Sequence, residues 1–468
     1  MDGTPAASGA APAVVPLRAN REFRLLWVGQ ALSDFGTAMT SLVLPLVLLR
    51  SGYSTSATSV IGTAVLVTAM VLRMPAGYLT DHYSHRRLML VADLARLVTV
   101  GAVAVWTYLD RLPIAMAVIT VVVAQVGVEL FRPSQNATVR RVVPAVQLGT
   151  AISLNQARAY AAGIVAPAVA GLLIAASLWL PFAIDAATYA VSALCVLALY
   201  RPLRRAEAAR RADRDAGAGA GDGAGGTGER TPGGADPARE AEDSEEAVLA
   251  HMSGTGAKSE PRERFLPRLT AGLRYVVRNP FLRTIAGLAA GENFAFQALA
   301  YALLLGIGRE HDGAAAVGLA MSAAAITGLT GSLIAPFLQR RLRMQTVMAS
   351  GPALAGVMLA VAWYTDSGIA FAAGYSALCL LTPVNGAVFG TILATTVPEN
   401  IYGRTTTALG FVAEILQPLG PLAAGLLLSY LSLSGTAALF ALAFALLAAL
   451  ALLMPSPPVT ADAKTAAA

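Results

Sequence analysis

Lysine is all but missing from this chain. Lys258 and Lys464 are the only two in 468 residues, and charged residues of every kind make up 13%. A water-soluble domain carries about 25%, so roughly half of the charge that would suit a chain of this size to water is absent. Cysteine is equally scarce. Cys195 and Cys379 both lie inside apolar runs, which argues against a disulfide framework and against a metal site. There is no Gly-x-x-x-x-Gly-Lys-Ser/Thr phosphate loop, which argues against ATP hydrolysis within the chain. The loops hold no His-rich motif or nucleophile arrangement, so a membrane-embedded enzyme has no support.

What the chain does have is grease in long runs. Hydrophobic residues make up 56% and the mean hydropathy is +0.61. The apolar residues fall in runs of about 20, the length that spans a hydrocarbon core of about 30 Å. Twelve spans are predicted, at 23–49, 56–79, 87–109, 113–136, 149–176 and 180–200, then 281–308, 313–338, 344–365, 369–397, 405–431 and 434–454. The expected fold class is an all-α membrane protein of two six-helix bundles, 23–200 and 280–454. Between them, 201–279 is rich in Gly, Ala, Pro and charge without an apolar period and reads as a largely disordered linker. Residues 1–22 read as a disordered tail rather than a signal peptide, and 455–468 as a second tail.

The net charge of +6 and the pI near 9.5 do not point to nucleic acid, because the basic residues form no patch with interleaved aromatics. They fill the gaps between spans. Arg18, Arg21, Arg24, Arg86, Arg87, Arg140, Arg141, the linker arginines, Arg340, Arg341, Arg343 and Arg404 fall on one side, with little but Arg50, Arg111 and Arg309 on the other. Positive charge accumulates on the cytoplasmic side, so both termini and the linker are expected there. The partners expected are the lipid bilayer, a small molecule and protons, with the chain a monomer.

The two halves repeat. Residues 142–174 align with 396–428 without a gap, Pro144 on Pro398, Gly149 on Gly403, Pro167 on Pro421 and Gly171 on Gly425 (398 − 144 = 254). The same offset lays Gly77 on Gly331 and "RRL" at 86–88 on "RRL" at 340–342. A single offset at separated places argues for two parallel six-helix units.

The stretch "GYLTDHYSHRRLML" at 77–90, with the opening "NREFRLLWVGQALSDFG", resembles the major facilitator superfamily, in its bacterial branch of drug, macrolide and siderophore exporters. The family's signature between spans 2 and 3 is Gly-x-x-x-Asp-Arg-x-Gly-Arg-Arg/Lys. Gly77, Asp81, Arg86 and Arg87 match it, while His82, Ser84 and His85 depart from it. The resemblance implies a cytoplasmic gate latch at these residues. Asp81 at a helix end can accept charge-assisted hydrogen bonds, and the plainer reading is a positive-inside anchor. Losing the glycine at Ser84 makes a left-handed turn there harder, and the two histidines would make the cluster's charge pH-dependent. In span 5, "GIVAPAVAGLL" resembles the family's antiporter signature, although "GPLAAGLL" in span 11 shares its features. Pro167, Gly171, Pro421 and Gly425 are therefore expected as kinks, serving antiport or plain packing.

Ionisable residues inside spans are costly and usually face a cavity or a partner. Asp34, roughly 16 Å into span 1 at 1.5 Å per residue, is the first candidate for proton coupling. The alternative is a carboxylate paired with an arginine of another span. Glu292 and Glu414 are the other proton-coupling candidates. Glu129 with Arg132, and Asp93 with Arg96, stand three apart and are expected to pair, with Arg158 within reach. Ser41, Asn155, Asn293, Gln297, Tyr301, Asn385, Phe389, Phe411 and Gln417 are the candidates for a cavity. Amides mixed with phenyl rings suit an amphipathic organic ligand better than a sugar, whose unpaired hydroxyls would each be penalised. The function expected is export of a drug or secondary metabolite across the inner membrane of a bacterium by proton antiport, driven by the proton gradient without a cofactor. The alternative is a proton-coupled importer or a siderophore exporter on the same scaffold.

Overall fold

In the computed structural model, residues 16–219, 273–310, 313–397 and 399–455 are described. Their regular structure is helical. The first half holds α1 (Arg21–Arg50), α2 (Thr55–His82), α3 (His85–Tyr108), α4 (Ile114–Val142), α5 (Ala145–Ala176) and α6 (Leu180–Gly219). The second holds α7 (Pro280–Gly308), α8 (Gly313–Arg341), α9 (Met344–Thr365), α10 (Gly368–Thr396), α11 (Glu399–Glu414), α12 (Leu419–Tyr430) and α13 (Leu433–Leu452). Twelve segments are long and apolar enough to cross a membrane, α11 and α12 forming one between them.

The helix starts are written in the sequence. Asn20, Ser54, Ser84, Asn279, Ser367 and Ser432 each accept a backbone N–H of the first turn they precede, satisfying a donor the helix leaves orphaned. Ser84, where the family signature has glycine, is thus the N-cap of α3, with φ −65° and ψ 125°, and no left-handed turn is needed there. Helix α6 continues past residue 200, where the linker was expected to begin. The Ala-, Arg- and Glu-rich sequence there has high helix propensity. The remainder of the linker, at 220–272, lies outside the described residues.

Capping also corrects the repeat register. Asn20 and Asn279 cap α1 and α7 (279 − 20 = 259), and Ser84 and Arg343 precede α3 and α9 (343 − 84 = 259). From α4 and α10 onward the offset falls to 254 (367 − 113 = 254), because α9 and the turn after it are shorter than α3 and its turn. The "RRL" at 86–88 therefore opens α3, whereas "RRL" at 340–342 closes α8. The 254 offset would set Asp81 against Ala335 (81 + 254 = 335), whereas the corrected register sets it against Arg340 (81 + 259 = 340). The match at offset 254 was fortuitous there and real in α5.

The expected kink at Pro421 also moves. The chain breaks at 415–418, before Pro418, through short-range bonds such as Gln417 N–H to Glu414 C=O at 3.0 Å. Pro418 lacks the N–H that would continue α11. Pro421 sits in the first turn of α12, where a missing donor costs nothing. In α5 the residue matching Pro418 is Ile164, and the helix runs unbroken through Pro167.

Helices α1, α3 and α6 pack together in the first half, as do α7, α9 and α13 in the second. The halves meet mainly where α5 lies on α8 and α2 on α12. These contacts use small residues. Gly318 lies against the Pro167 carbonyl, Gly171 against Ala314 and Ala315, and Gly425 against Ser59. A side chain at any of these glycines would collide with the facing helix, so the sequence admits the close crossing only with glycine there.

Candidate functional site

In the first half the buried carboxylates are held by side chains of that same half, two of them by arginine. Asp34 of α1 takes the Arg158 Nε of α5 at 3.0 Å on Oδ2, and the Gln30 amide at 2.8 Å on Oδ1. Arg158 also donates to Asn155 at 3.2 Å. Of the two readings open for Asp34, the paired one is the arrangement seen here. On α4, Glu129 accepts from Gln125 at 2.9 Å. It does not pair with Arg132, contrary to expectation. The amide four residues earlier satisfies Glu129, and Arg132 is exposed.

Deeper in the same half, Asp93 and Arg96 pair at 2.7 Å and are fully buried. Ser192 donates to the other Asp93 oxygen at 2.7 Å. The Arg96 guanidinium lies over the rings of Tyr189 and Phe131, 4.6 and 5.4 Å from their centroids. Gly127 leaves the space that Arg96 fills. Buried Asp185 has no arginine in hydrogen-bond reach. It accepts from Thr40 at 2.5 Å and from Thr188, and Gly36 makes room for it.

The second half is different. Glu292, Asn293, Phe296 and Gln297 of α7, Thr382 and Asn385 of α10, Gly351 and Pro352 of α9, Phe444 of α13 and Gln417 at the broken turn surround a cavity of about 220 Å³. Glu292 Oε1 and Asn385 Oδ1 are buried with no hydrogen-bond partner among the described residues. Asn293 donates to the Ala413 carbonyl at 3.1 Å, which ties α7 to α11. The break at Pro418 has a local consequence: it turns Gln417 into this cavity. Asn293 stands where Asp34 stands in the first half (293 − 34 = 259), so the cavity and the Asp34–Arg158 pair lie at matching depths.

The other predicted residues fall elsewhere. Tyr301 packs on Gly62 of α2 and helps join the halves. Ser41 is exposed and bonded to its own helix. Phe389 packs into the core of the second half, Phe411 and Glu414 are half-buried on α11, and none of these lines the cavity. Arg86 is half-buried and Arg87 exposed. Gly77 and Asp81 lie on α2, but the surroundings of Gly77 and the side chain of Asp81 lie outside what is described.

Sequence reasoning missed one constellation, at the end of the bundle remote from the linker. Arg309, just after α7, donates to Thr55 of the other half at 2.8 Å and to the Leu428 carbonyl at 2.9 Å. Thr55 also bonds Gly425 and Ser429, and Thr63 bonds the Pro418 carbonyl at 3.0 Å. Its signal was visible: an arginine at a helix end on the side otherwise poor in arginine.

The Major Facilitator Superfamily profile matches residues 26–417. The chain belongs to this superfamily. It is a multi-pass membrane transporter, not an enzyme. It is 24% identical over 438 residues to the multidrug efflux pump Tap of Mycolicibacterium fortuitum, covering 90% of this chain and 92% of that one. Macrolide efflux protein A of Streptococcus pyogenes is 27% identical over 158 residues, 34% of this chain and 38% of that protein. Among solved structures, the nucleoside transporter NupG superposes with a TM-score of 0.64 at 11% identity, covering 92% of this chain and 98% of that chain.

Proposed function

We propose that this transporter exports an amphipathic or hydrophobic small molecule, a drug or secondary metabolite, by proton antiport with alternating access. The observation that carries the reading is the cavity between α7, α10, α13 and the α11–α12 turn, whose lining combines amides and phenyl rings. Such a lining takes up a molecule with both apolar and polar parts. The likeness to a multidrug efflux pump across nine-tenths of the chain points the same way.

Arginine placement puts the linker and both termini in the cytoplasm of a bacterial cell. The Arg309–Thr55 junction then closes the outer face, and the state described is the one that receives substrate from inside. Asp34 is the proton carrier in this scheme. A proton on its carboxyl removes the charge that holds Arg158, loosens α1 from α5 and frees the first half to move. No cofactor enters, the proton gradient is the driving force, and a single chain supplies both halves.

The test uses inverted vesicles with an imposed gradient, acidic inside, and a panel of amphipathic compounds. Compound-dependent proton release is expected from the wild type and is lost in Asp34→Asn. Release that persists unchanged in the variant moves the proton site to Glu292 or Glu414. A wild type silent across the panel rejects antiport.

A further inference from the structure

Glu292 has no counter-ion among the described residues. Every other feature of its cavity is ordinary for a polar pocket in a membrane protein, but a carboxylate inside the spans is normally held by a cation or by hydrogen bonds. Here Oε1 is buried without a donor among the described residues, and so is the amide oxygen of Asn385, a second residue lining the cavity. Two unpaired acceptors on residues that line one space describe a missing donor group. Burying such acceptors unpaired is costly, and the fold retains both.

The lining narrows what the donor is. Phe296 and Phe444 present rings to the same space, and aromatic faces attract organic cations. The amides of Asn293, Gln297 and Gln417 add further oxygens. No arginine is among the described residues that line the cavity, in contrast to the first half, where Arg158 neutralises Asp34. A divalent metal ion is poorly served, since Glu292 is the only carboxylate among the described residues that line the cavity and a doubly charged ion there would leave net charge unpaired in the interior.

We propose that the Glu292–Asn385 cavity binds the protonated amine of the transported molecule, with the ammonium bonded to both acceptors and its substituents against Phe296 and Phe444. The proposal rests on the export reading and names its substrate class: amphipaths carrying a basic amine. A volume of about 220 Å³ holds an alkylated ammonium head and its nearest carbons. The remainder of a larger molecule extends out of the cavity.

The test is binding to the purified full-length protein in detergent, followed by fluorescence. The probes are a naphthyl-alkyl dimethylamine, cationic at pH 7, and the neutral methyl ether of equal length. The wild type is expected to bind the amine at least about tenfold more tightly, which corresponds to about 1.4 kcal/mol. In Glu292→Gln the ratio falls to about one while the ether affinity stays within about twofold, and Glu292→Asp keeps part of the preference. A preference that survives Glu292→Gln overturns the assignment, as does wild-type protein that binds neither probe. Sodium-dependent stabilisation with no preference for the amine also overturns it, in favour of an inorganic ion. Thermal melting of each variant separates loss of binding from loss of fold. Amine preference in a protein whose vesicles show no proton release leaves the cavity assigned and rejects the export mechanism instead.

Discussion

The two halves descend from one pattern yet handle charge in opposite ways. In the first, Asp93 meets Arg96, Asp34 meets Arg158, Glu129 meets an amide and Asp185 meets two threonine hydroxyls. In the second, Glu292 lines a cavity with no cation among the described residues, and the position of Asp34 is taken by uncharged Asn293. The first half therefore satisfies these carboxylates from within itself, by arginines or by hydrogen bonds, and the groups involved brace α1, α3, α5 and α6. The second leaves an acceptor open for something that comes and goes. In a transporter that division is useful, because a group already satisfied by its own fold has little to offer a ligand.

The sharpest way to break the comparison is to unbalance the first half. Arg96 is wholly buried, and Asp93 is its carboxylate partner. Asp93→Asn leaves the guanidinium charge unpaired in the interior, and removing one member of a buried pair costs about 3–5 kcal/mol. A large fall in the thermal melting of detergent-purified protein is expected. Replacing both residues, Asp93→Leu with Arg96→Met, restores most of it, since a well-packed apolar pair often substitutes for a buried ion pair. A single variant that melts like the wild type would show that the pair is not a brace.

How much of this was legible follows from range. The twelve spans were legible because each is a local run of about 20 apolar residues, and their starts because Asn and Ser caps act within three residues. Pairing over distance was not. Arg158 lies 124 residues from Asp34, and spacing could offer only both possibilities. Even short spacing misled for Glu129 and Arg132, where i,i+3 permits a pair but Gln125 reaches the carboxylate first. The members Glu292, Asn293, Gln297, Asn385 and Gln417 of the cavity were picked out as polar residues in apolar spans. Phe444, Thr382 and Gly351 were not, because nothing local separates a cavity phenylalanine from a core one. The absence of a partner for Glu292 is a property of the whole fold and is invisible in one helix.

A second test sharpens the contrast at the junction of the halves. Arg309 gives one hydrogen bond across the interface, to Thr55, and one within its own half, to the Leu428 carbonyl, instead of meeting a carboxylate. A hydrogen bond to a charged group contributes about 1.5–3 kcal/mol, and this site is open to water, so the lower end applies. Arg309→Ala is expected to shift the population away from the state closed at this face. A cysteine placed at Ser59, buried against Gly425 at the same junction, would then react about tenfold faster, the equivalent of about 1.4 kcal/mol, with a membrane-impermeant maleimide added outside. Unchanged labelling would mean that the glycine crossings of α5 on α8 and α2 on α12 hold that face without help from Arg309.

The smallest effect has the opposite sign and is the most discriminating. If Glu292 truly lacks a counter-ion, Glu292→Gln removes a group that is costly to bury and disrupts no bond. The ligand-free variant should melt at the wild-type temperature or slightly above it, a gain of at most about 1 kcal/mol, at the low end of the cost of burying an unsatisfied polar group. The same chemical change at Asp93 is expected to be strongly destabilising, so one carboxylate-to-amide substitution made in each half reads the asymmetry directly. Glu292→Gln behaving like Asp93→Asn would mean that the folded protein supplies Glu292 with a partner, and the second half would then be braced as the first is. A neutral or stabilising result leaves the carboxylate with no structural task, and its retention in an apolar span then calls for a ligand.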